Sequence, residues 1–399
     1  MARYFFGAIR VARRLFNKGA LRNLDWITVV LIVALFAVGL ITIVNVTASP
    51  FTGMEESATE IIEKLNLSSA LRQLVFFGVG FVLMFLITAI DYHLITPYIK
   101  YMYLLMLLSL VAVLFFGSRQ RGTAGWFMIG SYGVQPAEFG KLVIILVLAR
   151  AVAKQTEASG ELGITELRQL LPAIFLIAIP ALLIMAQPDF GTAMVYIIIF
   201  LAIIFVGKTS TRVLMMLLLM TAVLAPVIWF SLEDWQRLRI FTFLDPNFES
   251  TDAGLQVAAA QMAIGSGQMF GKGLFAPGAL SQLGYVPEQH NDFIFSGAIE
   301  TFGLVGGLMI LALYGALIVR TFQLAARAKD DFGMFIIVGV GAMVLFHLLE
   351  NVGMNLGILP VTGIPLPLFS YGGSNLVTTL CCYGMVLSVD MRRGRWKTM

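Results

Sequence analysis

Charge is scarce in this chain: 13% of its residues are Asp, Glu, Lys or Arg, 59% are hydrophobic, and mean hydropathy is +0.88. That balance excludes a soluble core, and it comes with repeated apolar runs of roughly 20 residues, each able to cross a hydrocarbon core of about 30 Å. Cysteine is scarcer still. Cys381 and Cys382 are adjacent inside an apolar segment, which excludes a disulfide framework and metal-type spacing. The first 25 residues lack the shape of a cleaved signal peptide, because basic residues are scattered through them and the first apolar run, Trp26 to Val46, already has spanning length. Walker and Rossmann patterns are missing too. A net charge of +4 and a pI near 9.0 could suggest nucleic acid, but the placement of the charges fits membrane topology instead, and no nucleic-acid partner is expected.

What is present reads as an all-α polytopic membrane protein. Hydropathy places ten helices, near 26–46, 71–90, 98–116, 138–153, 170–186, 190–206, 213–231, 293–318, 334–357 and 370–390. A cytoplasmic N-terminus puts 19 of the 27 basic residues inside, and the acid-rich first loop with Glu55, Glu56, Glu60 and Glu63 outside, as the positive-inside rule requires. Both termini are then cytoplasmic. The chain divides into a basic N-terminal segment at 1–25, one ten-helix membrane domain at 26–390 with an extracytoplasmic loop at 232–292, and a basic tail at 391–399. A loop of about 60 residues is long for a mere connector and is expected to be functional.

Within that loop the clearest polar cluster is PEQHNDFIF, Pro287 to Phe295, where Glu288, His290 and Asp292 crowd the re-entry into an apolar run. Polar groups at membrane depth cost free energy and call for a reason. Asp292 could accept a proton from a hydroxyl nucleophile, a general-base role, or cap the helix it begins. Upstream, GSGQMFGKG from Gly265 to Gly273 places Lys272 between glycines, a combination suited to a phosphate, or equally to a flexible re-entrant turn. Arg237 and Arg239 could meet a pyrophosphate or anchor the loop at the headgroup level.

The fourth helix opens Gln135-Pro136-Ala137-Glu138, and Glu138 and Lys141 share a face at i and i+3, either as part of a site or as an ion pair internal to the bundle. Asp189, in Gln187-Pro188-Asp189, is placed to cap the sixth helix. Glu300, and His347 with Glu350, read as buried hydrogen-bonding groups. The stretch Pro360 to Ser374, PVTGIPLPLFSYGGS, is irregular backbone that must pack on protein or line a cavity.

QPAEFGK from Gln135, AQPDFGT from Ala186, GSGQMFGKGL from Gly265, PEQHNDFIF from Pro287 and GIPLPLFSYGGSNL from Gly363, in this order along the chain, resemble the SEDS family (shape, elongation, division and sporulation) of peptidoglycan glycosyltransferases. PVTGIPLPL is more similar to the family's rod-shape branch than to its division branch. The resemblance implies polymerisation of lipid II on the outer face of the bacterial cytoplasmic membrane, with a class B penicillin-binding protein as transpeptidase partner. It places the family's essential acid on Asp292, its helix-four Glu and Lys on Glu138 and Lys141, its QPD acid on Asp189 and its loop lysine on Lys272. Two positions depart from the pattern: Asn291 stands where the family usually has Thr, and Gly125 where it often has an arginine that Arg119 or Arg121 would have to replace.

On this reading the sugar 4-hydroxyl of one lipid II attacks the anomeric carbon of an undecaprenyl diphosphate-linked glycan with Asp292 as base. Arg237, Arg239 and Lys272 meet the departing diphosphate, for which a divalent cation such as Mg is also suited. The alternative is a lipid-linked precursor transporter using Glu138, Lys141 and Asp189 as a polar path. Transporters often show related halves, and the loop at 232–292 has no counterpart in the first half. A scaffold that merely recruits the transpeptidase would not need Asp292 at all.

Overall fold

The computed structural model describes residues 23–51, 64–120, 123–130, 132–160, 163–231, 237, 238, 241, 243, 252–284 and 289–393. Arg121, Arg239 and Glu288, with the two terminal segments, lie outside the described residues. Eleven helices organise the rest: α1 Trp26–Thr47, α2 Leu67–Ala89, α3 Tyr92–Phe116, α4 Pro136–Ser159, α5 Leu167–Met185, α6 Phe190–Val206, α7 Thr211–Ser231, α8 Asp252–Ser266, α9 Ile294–Ala325, α10 Asp331–Asn355 and α11 Gly373–Asp390. A helix overlaps each of the ten expected intervals, and α8 lies in the stretch between α7 and α9. Six of them, α1, α2, α3, α5, α9 and α10, are long and apolar enough to cross a membrane by length and composition.

The helices begin where the sequence supplies acceptors for their unpaired first-turn amides. Asp25 accepts from Thr28 N at 3.1 Å, Asp189 from Thr192 N at 3.0 Å and Asp330 from Gly333 N at 2.8 Å. Pro136, with no N–H to lose, starts α4. The most enclosed of the six long helices is α10: 78% of its apolar window is buried in protein, against 22% in α2 and in α3, so α10 is the axis on which α4, α6 and α9 pack. Small residues bring backbones together in the apolar interior. A Cβ at Gly384 of α11 would stand 2.7 Å from the Met84 carbonyl of α2.

Two features were not expected. Residues between α3 and α4 form a small antiparallel sheet, β1 Ser118–Gln120, β2 Thr123–Ile129 and β3 Tyr132–Val134, in that order, with Phe127 opposite Val134 and Ser118 opposite Trp126. The other is a break in α9 at Gly303, with φ 73° and ψ −174°. The segment after α8 repairs it: the N–H groups of Lys272 and Gly273 donate to the carbonyls of Glu300 and Thr301 at 2.9 and 3.0 Å, and those of Leu304 and Val305 donate to Gln268 and Met269 at 2.9 and 3.1 Å. Freed helical groups are thus re-satisfied by inserted backbone, the condition for a broken helix at membrane depth.

Candidate active site

Asp292 stands two residues before α9 and is half-buried. It does not cap that helix. The first-turn N–H of Ser296 donates instead to Asn355 Oδ1 on α10, at 3.0 Å. The backbone carbonyl of Asp292 receives Asn351 Nδ2 at 2.8 Å and Asn355 Nδ2 at 3.0 Å, also from α10. Its carboxylate lies against the irregular stretch before α11: a Cβ placed on Gly363, whose φ is +75°, would sit 3.5 Å from Asp292 Oδ2. The same stretch is tied down on either side, by Thr362 Oγ1 donating to Glu350 Oε1 at 2.9 Å and by Asn351 Nδ2 donating to the Ile364 carbonyl at 2.9 Å. Chain that read as loop in the sequence is therefore one wall of the Asp292 site. Beside it, the His290 carbonyl accepts from Tyr371 N at 2.9 Å, and the His290 and Tyr371 rings lie 5.5 Å apart.

Glu138 and Lys141 come together as the spacing predicts, but inside the bundle. They are 4% and 2% exposed, and Lys141 Nζ donates to Glu138 Oε1 at 2.7 Å. His347 of α10 lies 3.0 Å from the same ammonium through Nε2, and its Nδ1 is 2.7 Å from the Met343 carbonyl. A carbonyl only accepts, so Nδ1 carries the proton and Nε2 accepts from Lys141. Asn375 of α11 donates to the second Glu138 oxygen at 2.9 Å. Three helices are thus joined by one polar cluster whose members satisfy one another. Asp189 is buried nearby, accepting from Gln135 Nε2 at 2.7 Å as well as capping α6. Gly125, where the family pattern has an arginine, is buried against this group: a Cβ there would be 3.0 Å from Gln187 Oε1 and 3.7 Å from Gln135 Nε2, while Arg119 is exposed on β1.

Lys272 pairs with Glu300 rather than standing alone between glycines. Its ammonium is 2.7 Å from Glu300 Oε1, and the same buried carboxylate accepts Ser266 Oγ at 3.1 Å, Leu280 N at 2.7 Å and Ser281 N at 2.9 Å. Arg237 donates to the carbonyls of Trp229 and Phe230 at the end of α7, at 3.2 and 2.9 Å. Among the described residues no group of three or more His, Cys, Asp or Glu side chains converges as a metal site would require.

Asn351, Asn355 and Asn375 were missed from the sequence. The signal was there for the first two: amides four apart in an apolar run must find partners, and i, i+4 spacing puts them on one face.

The chain is similar to known proteins over most of its length. The model of the FtsW/RodA/SpoVE family, described as cell cycle protein, matches residues 24–395. The peptidoglycan glycosyltransferase MrdB of Escherichia coli (strain K12) is 36% identical over 79% of this chain and 84% of its own length, and the peptidoglycan glycosyltransferase RodA of Treponema pallidum is 30% identical over 81% and 90%. A chain from a structure titled for the coordination of polymerization and crosslinking by a peptidoglycan synthase complex superposes with a TM-score of 0.73 at 31% identity, covering 93% of this chain and 99% of that one. The crystal structure of the rod shape determining protein RodA of Thermus thermophilus gives 0.65 at 28% identity, covering 93% and 98%.

Proposed function

Because the chain belongs to the FtsW/RodA/SpoVE family and is a peptidoglycan glycosyltransferase, we propose that it polymerises lipid II with Asp292 as the general base. The observation that carries the assignment is the setting of Asp292: half-buried two residues before α9, with Oδ2 3.5 Å from where a Cβ of Gly363 would stand, so that the missing side chain leaves room beside a carboxylate.

In the proposed step the 4-hydroxyl of an incoming lipid II gives its proton to Asp292 as its oxygen bonds to the anomeric carbon of the lipid-linked strand. The bond from that carbon to the diphosphate breaks, undecaprenyl diphosphate leaves with the electron pair, and attack from the opposite face turns an α linkage into a β linkage. Arg237, Arg239 and Lys272 are the candidate cations for the leaving diphosphate, and His290 and Glu288 for the sugar face. Lys272 keeps 27% of its side chain exposed while paired, which suits that part. Glu138, Lys141 and Asp189 support the wall from behind. A divalent cation such as Mg would ride on the diphosphate, and the chemistry proposed for Asp292 takes no step through it.

The distribution of basic residues supports a ten-span chain in the bacterial inner membrane with both termini cytoplasmic and the Asp292 site on the extracytoplasmic side. The synthase complex among the structural relatives supports a transpeptidase of the penicillin-binding class as partner. Transport of the precursor, the alternative on sequence, rested on Glu138, Lys141 and Asp189, which are buried with partners inside the bundle: Lys141 donates to Glu138, Asn375 to Glu138 and Gln135 to Asp189. The purified Asp292→Asn variant, supplied with lipid II and its partner, is expected to fold and to make glycan at a rate lower by a factor of about 100 to 10,000; product at the normal rate would remove Asp292 from the catalytic role.

A further inference from the structure

Catalytic carboxylates need more than a pKa; they need a place, held to about 0.5 Å by groups that are themselves locked. Asp292 lies outside the regular hydrogen bonding of α9, and the stretch that walls its carboxylate is irregular backbone. Neither holds the other by secondary structure. Both are instead held by α10, the most enclosed of the long apolar helices.

Asn351 and Asn355 are 0% exposed and lie one helical turn apart. The Asn351 amide donates to the Asp292 carbonyl and to the Ile364 carbonyl, at 2.8 and 2.9 Å. One planar NH2 group thus spans from the residue bearing the carboxylate to the backbone next to Gly363. Asn355 adds a second donor to the Asp292 carbonyl at 3.0 Å, and anchors itself by donating to the Asn351 carbonyl at 2.8 Å and accepting from Ser296 N at 3.0 Å.

We infer that Asn351 and Asn355 are positioning residues for the glycosyl transfer: a paired amide clamp that sets the distance between the Asp292 carboxylate and the Gly363–Ile364 wall against which the acceptor sugar is held. The inference rests on Asp292 being the base. The clamp touches no reacting atom, so its loss leaves lipid II binding largely intact and displaces the base. A misplacement of about 1 Å costs on the order of 100-fold in rate.

The test compares Asn351→Ala, whose vacated volume admits water to solvate both carbonyls, with the near-isosteric Asn351→Leu, using the full chain with its transpeptidase partner and lipid II. Both are expected to lose about 30- to 100-fold in kcat with KM for lipid II within about twofold, the signature of an interaction expressed in the transition state. A kcat within threefold of the unaltered protein would overturn the inference, as would a raised KM with kcat preserved. So would failure of both variants to accumulate as folded, monodisperse protein, which would make the residue structural first. Asp292→Asn assayed alongside separates the two claims. An inactive Asp292→Asn beside a normal Asn351→Ala sinks the clamp alone, while an active Asp292→Asn sinks the base assignment whatever Asn351 does.

Discussion

Asp292 and Glu300 stand eight positions apart at the start of α9 and are used in opposite ways. Glu300 is gripped through its carboxylate: an ammonium, a hydroxyl and two backbone amides converge on its two oxygens, and in return it locks the segment after α8 onto the break at Gly303. Asp292 has its backbone carbonyl held by two amides of α10, so that its place in the chain is set from behind. A buried carboxylate saturated with donors is a structural tie, since its charge is already neutralised and its geometry closed. A carboxylate positioned from behind can still receive a proton from outside. The use to which an acid is put follows from which of its atoms the fold holds.

The largest expected effect breaks the comparison at its stronger end. Asp292→Asn removes the proposed base and is expected to lose about 3 to 5 kcal/mol of transition-state stabilisation, with little change in unfolding temperature. Glu300→Gln is expected to do the reverse, lowering stability by about 2 to 3 kcal/mol while activity per folded molecule stays within a few-fold. Thermal unfolding and initial glycan-forming rate, measured on both, should cross over. Equal loss of rate in the two variants would show that Glu300 is not merely a tie.

The Glu138–Lys141 pair, which meets α10 at His347, one turn before Asn351, sharpens the same point. With the ammonium 2% exposed, Glu138→Gln leaves a buried positive charge without the carboxylate it is hydrogen-bonded to, an expected loss of about 3 kcal/mol. The double variant Glu138→Gln with Lys141→Met is expected to be more stable than Glu138→Gln alone, because it removes the stranded charge. Denaturation of the three proteins in one detergent checks the order, and strict additivity would mean that the two groups do not share one cluster.

Helix positions were legible because apolar runs near 20 residues and their acidic or proline starts carry the signal locally, as at Asp25, Pro136 and Asp189. The Glu138–Lys141 contact was legible for the same reason, being i, i+3 on one helix. Contacts made across the chain were not. Nothing local tells Lys272 that Glu300 is its partner, or Asn351 that it will hold a residue 59 positions earlier. The sheet at Ser118–Val134 escaped because three short strands give too little alternation to be seen against the apolar runs around them. The break at Gly303 escaped because it is one of several glycines in an apolar run, which reads as helix unless the segment that repairs the break is known. Of the proposed site, the acid stood out by its polar neighbours; the amides that hold its backbone carbonyl were hidden as ordinary polar residues of an apolar helix.

A third acid tests the comparison where protons have easy access. Asp25, just ahead of α1, is held through its carboxylate as Glu300 is: both oxygens accept from Arg320 Nε at 3.1 Å, Arg320 Nη2 also donates to it, and Thr28 donates from Oγ1 at 2.5 Å. Burial pushes the Asp25 carboxyl up, but the hydrogen bonds from Arg320 and Thr28, with the guanidinium charge, outweigh it and hold the group below the ordinary aspartate value. A lowered folded pKa means that the unfolded chain takes up the proton first on acidification. The stabilisation from this group is therefore complete above the ordinary aspartate value of about 4 and is lost as pH falls through the lower folded value. The expected size is about 1 kcal/mol, the smallest of the effects, because Arg320 is partly exposed and solvent screens the pair. The unfolding temperature of the unaltered protein should fall more steeply below pH 4 than that of Asp25→Asn, and parallel curves would mean that a carboxylate saturated with donors contributes no pH-linked stability at this edge of the bundle.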